Sequence, residues 1–150
     1  MLKSTEKITV SVAETESLAA EIARSIAPGD IIALYGAIGA GKTSFVRGLA
    51  TGLGCAISAK SPSFNLINEY PGVIPLYHID FYRLEFAGEM EDLGWTDYLD
   101  SDGIVAIEWA ERVKNLLPDR TLDVYFEIIN ETSRKLEIYV SDDFRNRKLG

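Results

Sequence analysis

The chain has 150 residues, 47% hydrophobic and 25% charged, which suits one globular domain with its own core and excludes a chain disordered throughout. Its single cysteine, Cys55, excludes an intrachain disulfide and fits a reducing compartment. A formal net charge of −8 argues against strong nucleic-acid binding by the chain alone; Arg145, Arg147 and Lys148 form the one basic cluster, either a solvated tail or a docking tail.

Residues 1–7 lack the apolar stretch of a signal peptide. Ile8, Val10 and Val12 alternate and predict a first strand. Ser11-Val12-Ala13-Glu14 matches a capping box and opens a helix to about residue 26, with Leu18, Ala19, Ile22, Ala23 and Ile26 on one side. Ala27-Pro28-Gly29-Asp30 turns the chain. Residues 31–35, Ile-Ile-Ala-Leu-Tyr, are apolar on both faces, as in a strand covered above and below. This longest apolar run is too short to cross a bilayer, so a soluble cytoplasmic protein without membrane contact is expected.

A glycine-rich loop follows at once, and residues 43–52 read as a helix. Residues 65–69 and 75–80 read as strands around Tyr70-Pro71-Gly72, residues 89–99 as one or two short helices, and residues 103–108 as another apolar strand. Residues 109–117 look helical and stop at Pro118. Residues 122–128 and 136–140 both alternate and flank Asn130-Glu131-Thr132-Ser133, which predicts a closing hairpin. This order predicts a three-layer α/β fold of the P-loop NTPase kind, with a mixed, mostly parallel sheet and a C-terminal β-hairpin. Residues 1–150 are expected to form one domain, with 141–150 as a polar tail.

Gly36-Ala37-Ile38-Gly39-Ala40-Gly41-Lys42-Thr43 fits G-x-x-x-x-G-K-[ST] between a strand and a helix. Glycines let the backbone curl so that several N–H groups point inward at phosphate oxygens. The helix that follows, with Ser44 in its first turn, adds its positive N-terminal end. Lys42 suits the β- and γ-phosphates, and the Thr43 hydroxyl suits magnesium. ATP and Mg2+ are the expected ligands. By chance the pattern arises in roughly one chain per hundred of this length, so a plain glycine turn is the weaker reading.

Such a loop needs a carboxylate for the metal at the end of a neighbouring strand. Asp80 and Glu108 each close a predicted strand. One would hold magnesium, directly or through water, and the other would orient or deprotonate the attacking water; the alternative for either is a cap or a solvated strand end. His78, the only histidine, shares a strand face with Asp80. It faces a phosphate, the acid or a partner, or is a half-buried structural histidine. Ser61-Pro62-Ser63-Phe64 lies where loops sense a γ-phosphate, with Ser61 or Ser63 offering a hydroxyl, or it is a Ser-Pro turn.

Taken together these motifs resemble the TsaE (YjeE) family, the ATPase of tRNA threonylcarbamoyladenosine biosynthesis, over about residues 11–111. The resemblance rests on the loop 36–43, Ser61-Pro62-Ser63-Phe64 with Asn68-Glu69-Tyr70, His78-Ile79-Asp80-Phe81-Tyr82-Arg83-Leu84, and Glu108-Trp109-Ala110-Glu111. Ala37 and Ile38 stand where the family has Asp or Asn and Leu, and Ser63 where Thr is usual. The departure at Ala37 removes a side-chain contact but not the backbone cradle.

The resemblance implies an ATPase, weak alone, that docks on the TsaB and TsaD proteins. TsaD transfers a threonylcarbamoyl group to adenosine 37 of tRNA, which this chain meets only through the complex, and ATP hydrolysis resets that complex. It implies Lys42, Asp80 and Glu108 as catalytic residues and Thr43, Asp80 and Glu108 as metal ligands. Trp109 lies beside the site or is a core aromatic. Thr15 lies near the adenine or is an ordinary helix threonine. The arginine that steadies the transition state is open between Arg83, Arg47, Arg134 and one from a partner.

Three other classes share the loop. A small-molecule kinase needs an arginine-bearing lid, and none is obvious between residues 83 and 95. A GTP switch carries Asn-Lys-x-Asp, which this chain lacks. A regulatory module would hold nucleotide without turnover.

Overall fold

A computed structural model of the chain describes residues 3–56, 67–81, 96–99, 102–118 and 121–140. In chain order the elements are β1 (Lys3–Thr9), α1 (Val12–Ala23), β2 (Ile31–Tyr35), α2 (Lys42–Gly52), β3 (Ile67–Tyr70), β4 (Leu76–Asp80), α3 (Thr96–Leu99), β5 (Ile104–Glu108), two 3-10 turns (Ala110–Arg112 and Lys114–Leu116), β6 (Thr121–Ile128) and β7 (Arg134–Val140).

The strands form one sheet in the order β1-β7-β6-β2-β5-β4-β3. Its core is parallel: β2 pairs with β5 and β6, and β4 pairs with β5. Antiparallel strands extend both edges, β3 on β4 and then β7 on β6 with β1 outermost. Every residue of β2 and of β5 is buried, the mark of strands with both faces covered.

α1 and α2 cover one face, where Ile32, Leu34, Leu122 and Val124 meet Ala19, Phe45, Val46 and Leu49. The other face packs Ile31, Ala33, Val105 and Ile107 against Leu99, Ala110 and Val113. These are the three layers expected of the α/β fold. The two long helices touch backbone to backbone. A Cβ on Gly48 would lie 2.3 Å from the Glu16 carbonyl oxygen, and one on Gly52 would lie 2.5 Å from that of Ala20. This close crossing fixes α2, and with it the loop that leads into it.

Ser11 caps α1 as expected: its hydroxyl accepts from the Glu14 N–H at 3.1 Å. Glu14 returns the bond one residue early, accepting from Val10 N–H at 3.0 Å. Three expectations are corrected. The first strand is the polar segment Lys3–Thr9, not residues 8–12. Ile8, Val10 and Val12 are largely exposed, and pairing with β7 makes the strand. α1 stops at Ala23, capped by Arg24, rather than near 26.

Residues 109–117 form two 3-10 turns instead of an α-helix. Trp109 has φ 60° and Val113 has φ −125° and ψ 12°, neither of them α-helical. Ala110 and Val113, three apart, are both buried, which a three-residue period delivers. The expected helical turns at 89–95, the 61–64 segment, Arg83 and the tail 141–150 lie outside the described residues.

Candidate active site

The loop 36–43 joins β2 to α2. Gly36 has φ 146°, and a Cβ there would sit 2.9 Å from the Phe126 carbonyl oxygen, so no other residue fits without a shift. α2 begins at Lys42 with no side chain capping its first turn, which leaves those N–H groups for a ligand.

Lys42 is buried. Its ammonium donates to the Gly36 carbonyl at 2.6 Å and lies 3.9 Å from the centre of the Trp109 ring. Burial lowers its pKa below the usual lysine value, while Glu108, Glu111 and Asp80 pull it back up. Among the described residues no ion pair joins Lys42 to a carboxylate. The lysine thus waits beside its own loop, held by a carbonyl and an aromatic face.

Asp80 and Glu108 end the neighbouring parallel strands β4 and β5 and sit opposite each other in register. Their surroundings differ. Glu108 is buried; it accepts from the Thr43 hydroxyl at 3.2 and 3.3 Å and from His78 Nε2. Asp80 is half-buried and lines the cavity. His78 is 3% exposed, two residues before Asp80 on the same strand face. Its contact is with the Glu108 carboxylate of the neighbouring strand.

Trp109 follows Glu108 with φ 60° and ψ 41°, the only non-glycine residue at positive φ among those described. For a bulky residue this conformation is strained, and such strain gathers at functional sites. It is partly buried against the second core and also lines the cavity.

A cavity of about 520 Å³ lies over the loop, within the range that holds small ligands. Lys42 and Thr43 of the α2 start, Asp80 and Glu108 at the ends of β4 and β5, and Trp109 line it, and Glu131, Thr132 and Arg134 line it from the β6–β7 hairpin on the other side of β2. Ser11, Val12 and Thr15 of the α1 start complete the wall. Thr15 is buried, and its hydroxyl meets Thr9 Oγ1 at 2.7 Å and the Ser11 carbonyl at 3.3 Å. Ile38, Gly39, Gly41 and Ser44 line the cavity, whereas Gly36, Ala37 and Ala40 do not. Ala37 is exposed and Ala40 belongs to the core.

Sequence reasoning missed Ser11, Val12, Glu131 and Thr132 as cavity walls. Ser11 carried only a capping signal, and the hairpin tip carried only a turn signal. Arg134 was one of three open arginines. It donates to Asn130 O at 2.7 Å, Ser133 O at 2.9 Å and Gly39 O at 3.1 Å, tying the hairpin to the loop 36–43. Arg47 points elsewhere, to Glu16 at 4.0 Å. Ser61, Ser63 and Arg83 lie outside the described residues.

Among the described residues no cluster of three or more His, Cys, Asp or Glu side chains forms a metal cage. Two carboxylates beside a threonine hydroxyl fit magnesium, which shares its shell with waters and phosphate oxygens.

Residues 9–136 match the family described as "Threonylcarbamoyl adenosine biosynthesis protein TsaE". The tRNA threonylcarbamoyladenosine biosynthesis protein TsaE of Bacillus subtilis is 40% identical over 129 residues, covering 85% of this chain and 80% of that protein. The protein of the same name from Aquifex aeolicus is 37% identical over 139 residues, covering 89% and 95%. The crystal structure of Bacillus subtilis YdiB superposes with a TM-score of 0.79 at 33% identity, covering 99% of this chain and 91% of that one. The TsaE of Treponema pallidum, 35% identical over 128 residues and covering 85% of this chain and 95% of that protein, agrees, and the chain belongs to the TsaE family of tRNA threonylcarbamoyladenosine biosynthesis proteins.

Proposed function

We propose that the chain is the ATP-hydrolysing member of this pathway, working on a TsaB–TsaD complex and resetting it between turnovers. One observation carries the reading: the Thr43 hydroxyl rests on the buried Glu108 carboxylate beside Lys42. Hydroxyl, acid and ammonium meet at the mouth of an uncapped helix, as magnesium and a triphosphate require together.

In this reading the N–H groups of residues 36–43 and of the first turn of α2, with Ser44, hold the phosphates. Lys42 leaves the Gly36 carbonyl for the β- and γ-phosphates. Thr43 and Glu108 would hold magnesium, which would supply charge neutralisation on the phosphate oxygens. Asp80, beside Glu108 and closer to solvent, would orient the attacking water or serve as the second carboxylate for magnesium. Trp109 roofs the lysine. Thr15, Val12 and the hairpin would accommodate the adenine, and Arg134 of that hairpin hydrogen-bonds the loop at Gly39.

Family membership supports TsaB and TsaD as partners and the cytoplasm as location. No helix among the described residues is long and apolar enough to cross a membrane. Val12 and Ile38 are exposed at the cavity rim, 61% and 65%, apolar surface suited to a covering protein partner. The net charge of −8 suits a protein that reaches tRNA only through that complex.

The test is ATP hydrolysis measured with and without TsaB and TsaD. Turnover that rises on adding both partners is expected. Absence of stimulation, together with absence of binding to either, defeats the proposal.

A further inference from the structure

We infer that His78 is a positioning residue that holds Glu108 in its metal-binding orientation and keeps it off Lys42; this rests on the ATP–magnesium reading above. Three observations combine. His78 Nε2 contacts Glu108 Oε2. His78 Nδ1 is buried and has no hydrogen-bond partner among the described residues. Glu108 and Lys42 are both buried in one small site, 4% exposed each, yet no ion pair forms between them.

An imidazole offers two polar atoms. Here one is enclosed without a partner, so the ring has a single polar task, donation through Nε2 to Glu108. A buried polar atom left unpaired costs free energy, and this one is tolerated on β4, between the parallel β5 and the antiparallel β3. Leucine or phenylalanine would fill β4 without that cost. What the histidine adds is a fixed donor on the side of the carboxylate away from the cavity.

The alternative for Glu108 is collapse. A buried carboxylate and a buried ammonium in one pocket attract strongly. If they joined, the phosphates would lose the lysine and the metal would lose the acid. His78 on one side and Thr43 on the other occupy the carboxylate, and Lys42 takes the Gly36 carbonyl and the Trp109 face instead. Cation and anion are thereby stored apart, each ready for its own part of the ligand. Partners that orient metal ligands commonly carry about 10–100-fold in metal affinity.

The experiment compares three variants of the full chain. His78→Gln can place an amide N–H near the position of Nε2. His78→Asn ends too early to reach Glu108, and His78→Leu removes the donor. Binding of ADP and of a non-hydrolysable ATP analogue is measured by calorimetry with magnesium and with EDTA, and magnesium affinity is taken from a titration of the analogue complex. Circular dichroism and melting curves establish that each variant is folded.

The expected result is a magnesium affinity reduced about 10-fold or more in His78→Asn and His78→Leu. His78→Gln stays within about 3-fold of the unsubstituted chain, and nucleotide affinity in EDTA changes less than about 2-fold throughout. If His78→Leu does not fold, the pair Gln and Asn decides alone. Equal magnesium affinity in Gln and Asn overturns the inference, as does an equal loss with and without magnesium. If the unsubstituted chain itself shows no magnesium-dependent binding, the ATP–magnesium reading fails, and that outcome is distinct from failure of His78 alone.

Discussion

The parallel centre of the sheet and its antiparallel flank spend their polar residues differently. In the centre, β4, β5 and the start of α2 bury a lysine, a histidine and a glutamate within one site. In the flank, Lys135 of β7 touches Glu6, Glu127 and Glu137 at 3.4–4.0 Å on the surface. Buried polar groups are expensive, and each must be answered by a partner or a function. Exposed ion pairs are nearly free and nearly worthless to stability. The contrast separates chemistry from scaffolding better than counting charges does.

The largest effect that would sharpen this contrast is on hydrolysis. Glu108→Gln should lower partner-stimulated turnover about 10²–10³-fold. Asp80→Asn should reduce turnover by more than it weakens nucleotide binding. Both are read from phosphate release beside calorimetric affinities. Turnover unchanged in Glu108→Gln would place the catalytic acid elsewhere, and no turnover in the unsubstituted chain with both partners would favour a module that only holds nucleotide.

Next comes binding. Lys42→Ala should weaken ATP about 10²-fold, on the order of 3 kcal/mol. The melting temperature should hold, because the substitution also removes the burial cost of the ammonium. An affinity equal to that of the unsubstituted chain would place the anion elsewhere.

Stability is touched more by the α1–α2 crossing than by any charge. Gly48→Ala puts a methyl 2.3 Å from the Glu16 carbonyl oxygen, and overpacking of this kind costs about 1–3 kcal/mol. A chemical denaturation curve checks it.

A smaller effect follows from the lowered pKa of Lys42. Between its folded and unfolded values the folded chain binds fewer protons, so this group's contribution to stability rises with pH in that window below the ordinary lysine value of 10.5. Nucleotide binding needs the ammonium and should move the other way, weakening with pH before an ordinary lysine titrates. Dissociation constants from about pH 7 to about pH 10 check this, with Lys42→Arg, which stays charged, showing a flatter profile. Last, Lys135→Ala should leave the melting temperature unchanged at low and high salt, and a clear loss would break the contrast between flank and centre.

Much of this was legible in residue order. β2 reads as a doubly covered strand because all its residues are apolar, and the loop reads as a phosphate cradle because its glycines and one lysine stand at fixed spacing. Asp80 and Glu108 stood out as carboxylates closing apolar runs. These are properties of neighbours along the chain, set by sterics and periodicity, and they survive without a tertiary context.

What required the folded molecule is everything joined across long separations. Thr43 chooses Glu108 over Asp80 across 65 residues, because β5 adjoins β2 while β4 lies one strand further out. Arg134 reaches Gly39 across 95 residues, because β6 lies beside β2 and carries the hairpin to the loop. The polar segment before α1 became a strand only by pairing with β7, and residues 109–117 form two 3-10 turns after a left-handed Trp109, with Ala110 and Val113 buried. Local pattern sets which residues carry chemistry; strand order and packing decide which of them meet.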